Sequence, residues 1–145
     1  MSGCSKNSSQ TSVDMSKLCS DMLAADTSLP DMLTTSSNDE NGESNFVYLA
    51  DMDYSKVDSY FYAYSSTGTA YEIAVICLKA SSDVSEAETA LNTHITNRVH
   101  TFESYSPEQV SSAENAKIVK NGRYVALIMC DSKNDVIDVF NSYTK

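Results

Sequence analysis

KIVKNGRYVALIMC, residues Lys117 to Cys130, consists of two largely apolar runs joined by Asn121-Gly122. Asn-Gly takes the two positive φ values of a type I′ turn, whose twist matches that of paired strands, so the stretch predicts a β-hairpin. Working outward toward the N-terminus, Val57–Tyr64 (VDSYFYAY) and Tyr71–Lys79 (YEIAVICLK) flank SSTGTA, a glycine-containing loop, and predict a second hairpin. YEIAVICLK is apolar on both alternations, as expected for a central strand covered on both faces or shielded by its neighbours.

Helices fill the remainder. Met15, Leu18, Cys19, Met22 and Leu23 recur at three- and four-residue steps and predict a helix over Val13–Ala25. Leu29, Pro30 and Met32 read as a connector, Thr34–Asn45 (TTSSNDENGESN) as a loop, and Phe46–Leu49 as a short apolar docking segment. Asp83 and Glu86 form a capping-box pattern before a long helix whose stripe is Val84, Ala87, Leu91, Ile95, Val99 and Phe102. Ser106-Pro107-Glu108-Gln109 opens a short helix ending near Glu114. Ser132, with Asp135 three residues on, opens a last helix with Val136, Ile137, Val139, Phe140 and Tyr143 on its apolar side. The expected architecture is α+β: a four-stranded, mostly antiparallel sheet of two hairpins, an N-terminal helix and helices packed on one face, in the order α-ββ-αα-ββ-α.

Composition narrows the function. The chain has 145 residues, one domain's worth, and a net charge of −10. That balance argues against nucleic acid, whose phosphates need a basic face, and against a polybasic grip on anionic lipid. Residues 1–60 hold ten acids and three lysines, a net of −7, so the acidic excess lies toward the N-terminus, where it reads as solvation. The longest apolar runs, Ile73–Leu78 and Tyr124–Cys130, are far shorter than the ~20 residues that span a bilayer. Four cysteines are too few for a disulfide scaffold.

Cys4 is the most informative single residue. Ser2-Gly3-Cys4 matches the last three positions of a bacterial lipobox, where small residues let the peptidase cleft accept the chain before the cysteine that becomes diacylated. Residues 1–12 (through SGCSKNSSQTS) are polar and without apolar period, and read as a flexible tether to a single domain over 13–145. About ten flexible residues reach roughly 17–20 Å, which would hold that domain near the bilayer. The charged start and apolar run of a leader are not upstream of Cys4, so this lipidation expectation concerns the native precursor. Cys19, Cys77 and Cys130 fall on apolar faces and read as buried free thiols, with a bridge between two of them as the alternative.

The other candidates are weaker. His94 and His100 stand about 120° apart on the long helix, so they make no metal pair and read as part of a solvated polar face, with His100 and Glu103 sharing one side. No G-x-S-x-G elbow is present, and four glycines leave no phosphate-cradling loop. Ser37–Glu43 imitates part of a calcium loop, but Tyr48 occupies the twelfth position, where a bidentate glutamate belongs. No cofactor and no metal are expected. Tyr60, Tyr62 and Tyr64 alternate along one strand and share a face. On an open sheet they would form a ladder for a glycan, peptide or protein ligand; the competing reading packs them beneath the Thr34–Leu49 segment.

AYEIAVICLK, the long helix leading into ESYSPEQ, the AENAKIVKNGRYVALIMC hairpin and the closing DVIDVF helix resemble a family of small bacterial lipoproteins known only as a domain of unknown function. The resemblance covers roughly Leu29 to Phe140, and SGCS is similar to that family's mature N-terminus. These motifs are structural, so the resemblance implies a fold, export and lipidation but no catalytic residue. The expected function is a lipid-anchored extracytoplasmic binding or accessory module, without catalysis and with no nucleic-acid partner. Two alternatives stand: an extracytoplasmic hydrolase assembled from scattered Ser, Asp and His94 or His100, and a soluble cytoplasmic domain. An enzyme predicts a deep pocket with convergent titratable groups, whereas a module predicts a shallow tyrosine-bearing face.

Overall fold

A computed structural model describes residues 13–145. Helix α1 (Met15–Ala24) is followed by strand β1 (Met32–Ser36), a one-turn helix α2 (Gly42–Asn45), and strands β2 (Val57–Ser65) and β3 (Glu72–Leu78). Then come the long helix α3 (Val84–Tyr105), short α4 (Val110–Glu114), strands β4 (Lys117–Asn121) and β5 (Tyr124–Met129), and α5 (Lys133–Thr144). The five strands form one antiparallel sheet in the order β1-β2-β3-β5-β4. Both expected hairpins are present, and Gly122 turns the second with φ +55°.

The sheet has five strands and not the four expected. The additional one, β1, falls across the segment read as connector and loop. It lies at the sheet edge against β2, with Thr35 opposite Tyr62, and only Thr35 of its five residues is buried. A half-exposed edge strand needs no alternating apolar pattern, so MLTTS carried no signal of its own.

Helices lie on both faces of the sheet, not on one. Ile73, Val75 and Cys77 of β3 pack with Leu18 and Met22 of α1 and Val136 and Phe140 of α5. Ala74, Ile76 and Leu78 point the other way, into a core with Ala87 and Leu91 of α3, and with Phe46 and Leu49 from the turns after α2. The double-sided apolarity of YEIAVICLK is the cause: each alternation needs its own cover. All seven residues of β3 are buried, including Glu72.

Two expected caps are used otherwise. Asp83 makes no side-chain cap on α3, and Glu86 pairs instead with Lys56 at 2.7 Å. Ser132 does not cap α5 with its side chain; its N–H donates to Asp26 Oδ2 at 2.9 Å, fastening α5 to the end of α1. Burial raises the Asp26 carboxyl, but donors from Ser132 and Ser28 outweigh it and bring the pKa down to about 2. No helix among the described residues is long and apolar enough to cross a membrane.

Candidate functional site

Glu72 begins the central strand on the α3 side and is 1 % exposed. A carboxylate there needs partners, because burying an unpaired charge costs several kcal/mol. Three side chains converge on it. The Tyr62 hydroxyl donates to Oε1 at 3.0 Å, His94 Nε2 donates to the same oxygen at 2.6 Å, and Arg98 Nε lies 2.8 Å from Oε2. His94 and Arg98 reach it together because four residues make about one helical turn, which sets both on the sheet-facing side of α3. The Arg98 guanidinium also rests over the Phe102 ring, 4.6 Å from its centroid. Its Nε is not aligned for a hydrogen bond and makes none, so ionic attraction dominates that contact.

Above this cluster opens a cleft of about 390 Å³. Tyr62, Tyr64, His94 and Arg98 form its floor and one wall, and Thr35, Asn45 and Tyr48 close the other side. Asn45 Nδ2 donates to Thr35 Oγ1 at 3.0 Å, which ties α2 to the edge strand. The Tyr62 and Tyr64 rings lie 5.0 Å apart at 36°, and His94 meets the Tyr62 ring edge-on at 5.8 Å. Tyr48 stands 71 % exposed at the mouth, beside the exposed Val47. Burial, followed by the charge and hydrogen bond of Glu72, pushes the Tyr62 hydroxyl far above its ordinary pKa, so it stays a donor throughout the physiological range.

The tyrosine ladder expected on an open face is divided. Tyr60 is fully buried between Phe46 and Tyr54, with ring centroids 4.9 and 6.1 Å away, and its hydroxyl donates to the Gly42 carbonyl at 2.5 Å. It cannot touch a ligand and serves instead to seat α2, beneath the segment expected to cover it. Tyr62 and Tyr64 line the cleft. His94 is corrected as well: it is 9 % exposed and bonded to Glu72, not part of a solvated face, whereas His100 sits outside, 3.2 Å from Glu103. Cys19, Cys77 and Cys130 are free thiols, and the strand register sets Cys77 opposite Tyr124. Cys4 lies outside the described residues.

Sequence reasoning missed Glu72 and Arg98. A signal was present: Glu72 is an acid within an otherwise apolar central strand, on the alternation of Ala74, Ile76 and Leu78, and His94 stands three residues after the core Leu91. A charge in such a strand demands a cation on the packed helix.

A family model described as a domain of unknown function, DUF4358, matches residues 32–130. The chain belongs to the DUF4358 family. The matched span begins at the edge strand and ends just after β5, so it contains the whole DUF4358 sheet, α3 and every residue of the cleft. No curated protein and no solved structure matches the chain.

Proposed function

We propose that this DUF4358 chain is a non-catalytic binding module, anchored by lipid at Cys4 on the extracytoplasmic side of a membrane, and that its ligand sits in the cleft above Glu72. The observation that carries the binding reading is a wall held rigid from beneath. Glu72 fixes Tyr62, His94 and Arg98 through contacts of 2.6–3.0 Å, so their cleft-facing surfaces are set before any ligand arrives. Aromatic faces with a few fixed polar groups are the usual makeup of a ligand pocket. The anchoring reading rests on Ser2-Gly3-Cys4 and the polar stretch that follows it.

The hydrolase reading draws on the buried Glu72–His94 pair, which has the form of an oriented base. Against it, no serine or cysteine is among the described residues lining the cleft, and Thr35 already accepts from Asn45. Glu72 also takes His94 Nε2, Tyr62 and Arg98 together, an arrangement suited to a fixed structural knot.

Immobilised glycan and peptide arrays probed with the intact protein and with the exposed-ring variant Tyr48→Ala test the binding reading. Ligands should be retained by the protein and weakened at least tenfold by Y48A. An array signal that Y48A and Tyr64→Ala leave unchanged would remove the cleft as the seat. For the anchor, the mass of membrane-extracted native protein should show a diacylglyceryl group at Cys4; an unmodified thiol there contradicts it.

A further inference from the structure

Four of the chain's other basic residues use their side chains in hydrogen bonds within the fold, and Arg98 does not. Lys56 is matched by Glu86 and Asp83, Lys120 by Glu88, while Arg123 and Lys133 donate to backbone carbonyls. Arg98 makes no hydrogen bond among the described residues: it meets Glu72 through Nε, and its side chain is 30 % exposed and lines the cleft. Stacking on Phe102 and the Nε contact fix the guanidinium plane, leaving the two Nη groups as a pre-set fork. No aspartate or glutamate is among the described residues lining the cleft, and Glu72 lies beneath the floor, engaged by Tyr62, His94 and Arg98. On a chain of net charge −10, an acid-free rim carrying an arginine fork is a local exception that favours an anion.

The rest of the cleft specifies the body that carries the anion. The tilted Tyr62–Tyr64 pair and the exposed Tyr48 ring offer apolar faces, and Asn45 and Thr35 add polar groups at one side. A planar fork with two parallel N–H donors matches a carboxylate in bidentate geometry. We infer that the cleft recognises a free carboxylate carried on a flat, apolar body, the guanidinium of Arg98 holding the carboxylate and Tyr48 and Tyr64 packing on the body. This deepens the binding reading above and rests on it. The same chemistry is presented by a small aromatic acid and by the C-terminal residue of a peptide ending in an aromatic side chain.

Isothermal titration of the full chain separates the cases with four probes: N-acetyl-phenylalanine, its amide, an acetylated Gly-Gly-Gly-Phe with a free C-terminus, and the amide of that peptide. Both acids binding at least tenfold more tightly than their amides is the expected result, since a charge-assisted pair is worth about one decade or more. Binding of the small acid alone assigns the site to small acids; binding of both admits peptide C-termini. Arg98→Lys, which keeps the charge and removes the fork, should weaken the acids at least tenfold and narrow the difference between acids and amides. If that variant does not fold, the acid–amide comparison on the unaltered protein decides alone. Amides that bind as well as acids, or no binding by any of the four, would overturn the carboxylate assignment. Array ligands lost in Y48A under those conditions would still support a cleft ligand of other chemistry.

Discussion

Replacing Glu72 by glutamine removes one charge at constant shape and isolates the knot under the cleft. The glutamine carbonyl can still accept from Tyr62 and His94, but its NH2 group then faces Arg98 Nε, donor against donor. Removing one partner of a buried ion pair costs about 3–5 kcal/mol when the other charge is trapped. Arg98 is not trapped, because it is 30 % exposed and can turn toward water, so the expected cost is about 2–3 kcal/mol. For a chain of this length that corresponds to a fall of roughly 5–10 °C in Tm. Glu72→Leu should cost more, about 3–5 kcal/mol, because the Tyr62 hydroxyl and His94 Nε2 both lose their acceptor in a buried site. The assay is urea unfolding followed by far-UV circular dichroism, since the chain has no tryptophan to report by fluorescence. A double-mutant cycle with Arg98→Gln should give a coupling of about 1–2 kcal/mol. A Glu72→Gln protein within 0.5 kcal/mol of the parent, or a cycle that is additive, would refute the argument that Glu72 holds these side chains in place.

Tyr60→Phe removes the donor to the Gly42 carbonyl and should cost about 1–2 kcal/mol in the same unfolding assay. Gly42→Ala should cost more, since an added Cβ would collide with the Ser36 carbonyl oxygen and force α2 off the edge strand. Asp26, held at about 2 in the folded chain against 3.8 as the ordinary value, contributes about 2 kcal/mol of stability above pH 4. Its folded pKa is depressed, so that contribution is lost as pH falls from about 4 toward 2; Asp26→Asn should lower stability at pH 7 by about that amount and flatten the acid limb of the profile. Burial pushes the Cys19 thiol up to about 11 and the Cys130 thiol up to about 12, so in the native protein at pH 8 both should alkylate far more slowly than in urea, read by mass spectrometry of tryptic peptides. Native labelling of Cys130 as fast as in urea would contradict its burial.

Much of the fold was legible because its strongest signals are local. Asn121-Gly122 and the double-sided YEIAVICLK run each fix an element with little help from the rest of the chain. β1 was not legible, since MLTTS becomes a strand only through its pairing with β2, a contact that composition cannot show. The one-face layering failed for a related reason: α1 and α5 are far apart in sequence yet share the second face of β3. Asp83 and Ser132 have the residue types of helix caps, yet the Asp83 carboxylate lies 3.9 Å from Lys56, and Ser132 engages Asp26 through its backbone N–H and not its hydroxyl. For the site, Tyr62 and Tyr64 were reached by alternation, while Glu72, His94 and Arg98 came together only when α3 lay across the sheet. An acid in a buried strand and two basic residues four apart on the facing helix were both written in the chain; their joint meaning required the crossing.

The most direct test is a backbone-amide NMR map of the labelled full chain titrated with a pool of neutral and anionic aromatic fragments. The shifts should concentrate at Thr35, Asn45, Tyr48, Tyr64 and Arg98, with the anionic members producing them at lower concentration than the neutral ones. Shifts confined to the α1–α5 face, or spread without focus over the surface, would contradict a ligand seat above Glu72.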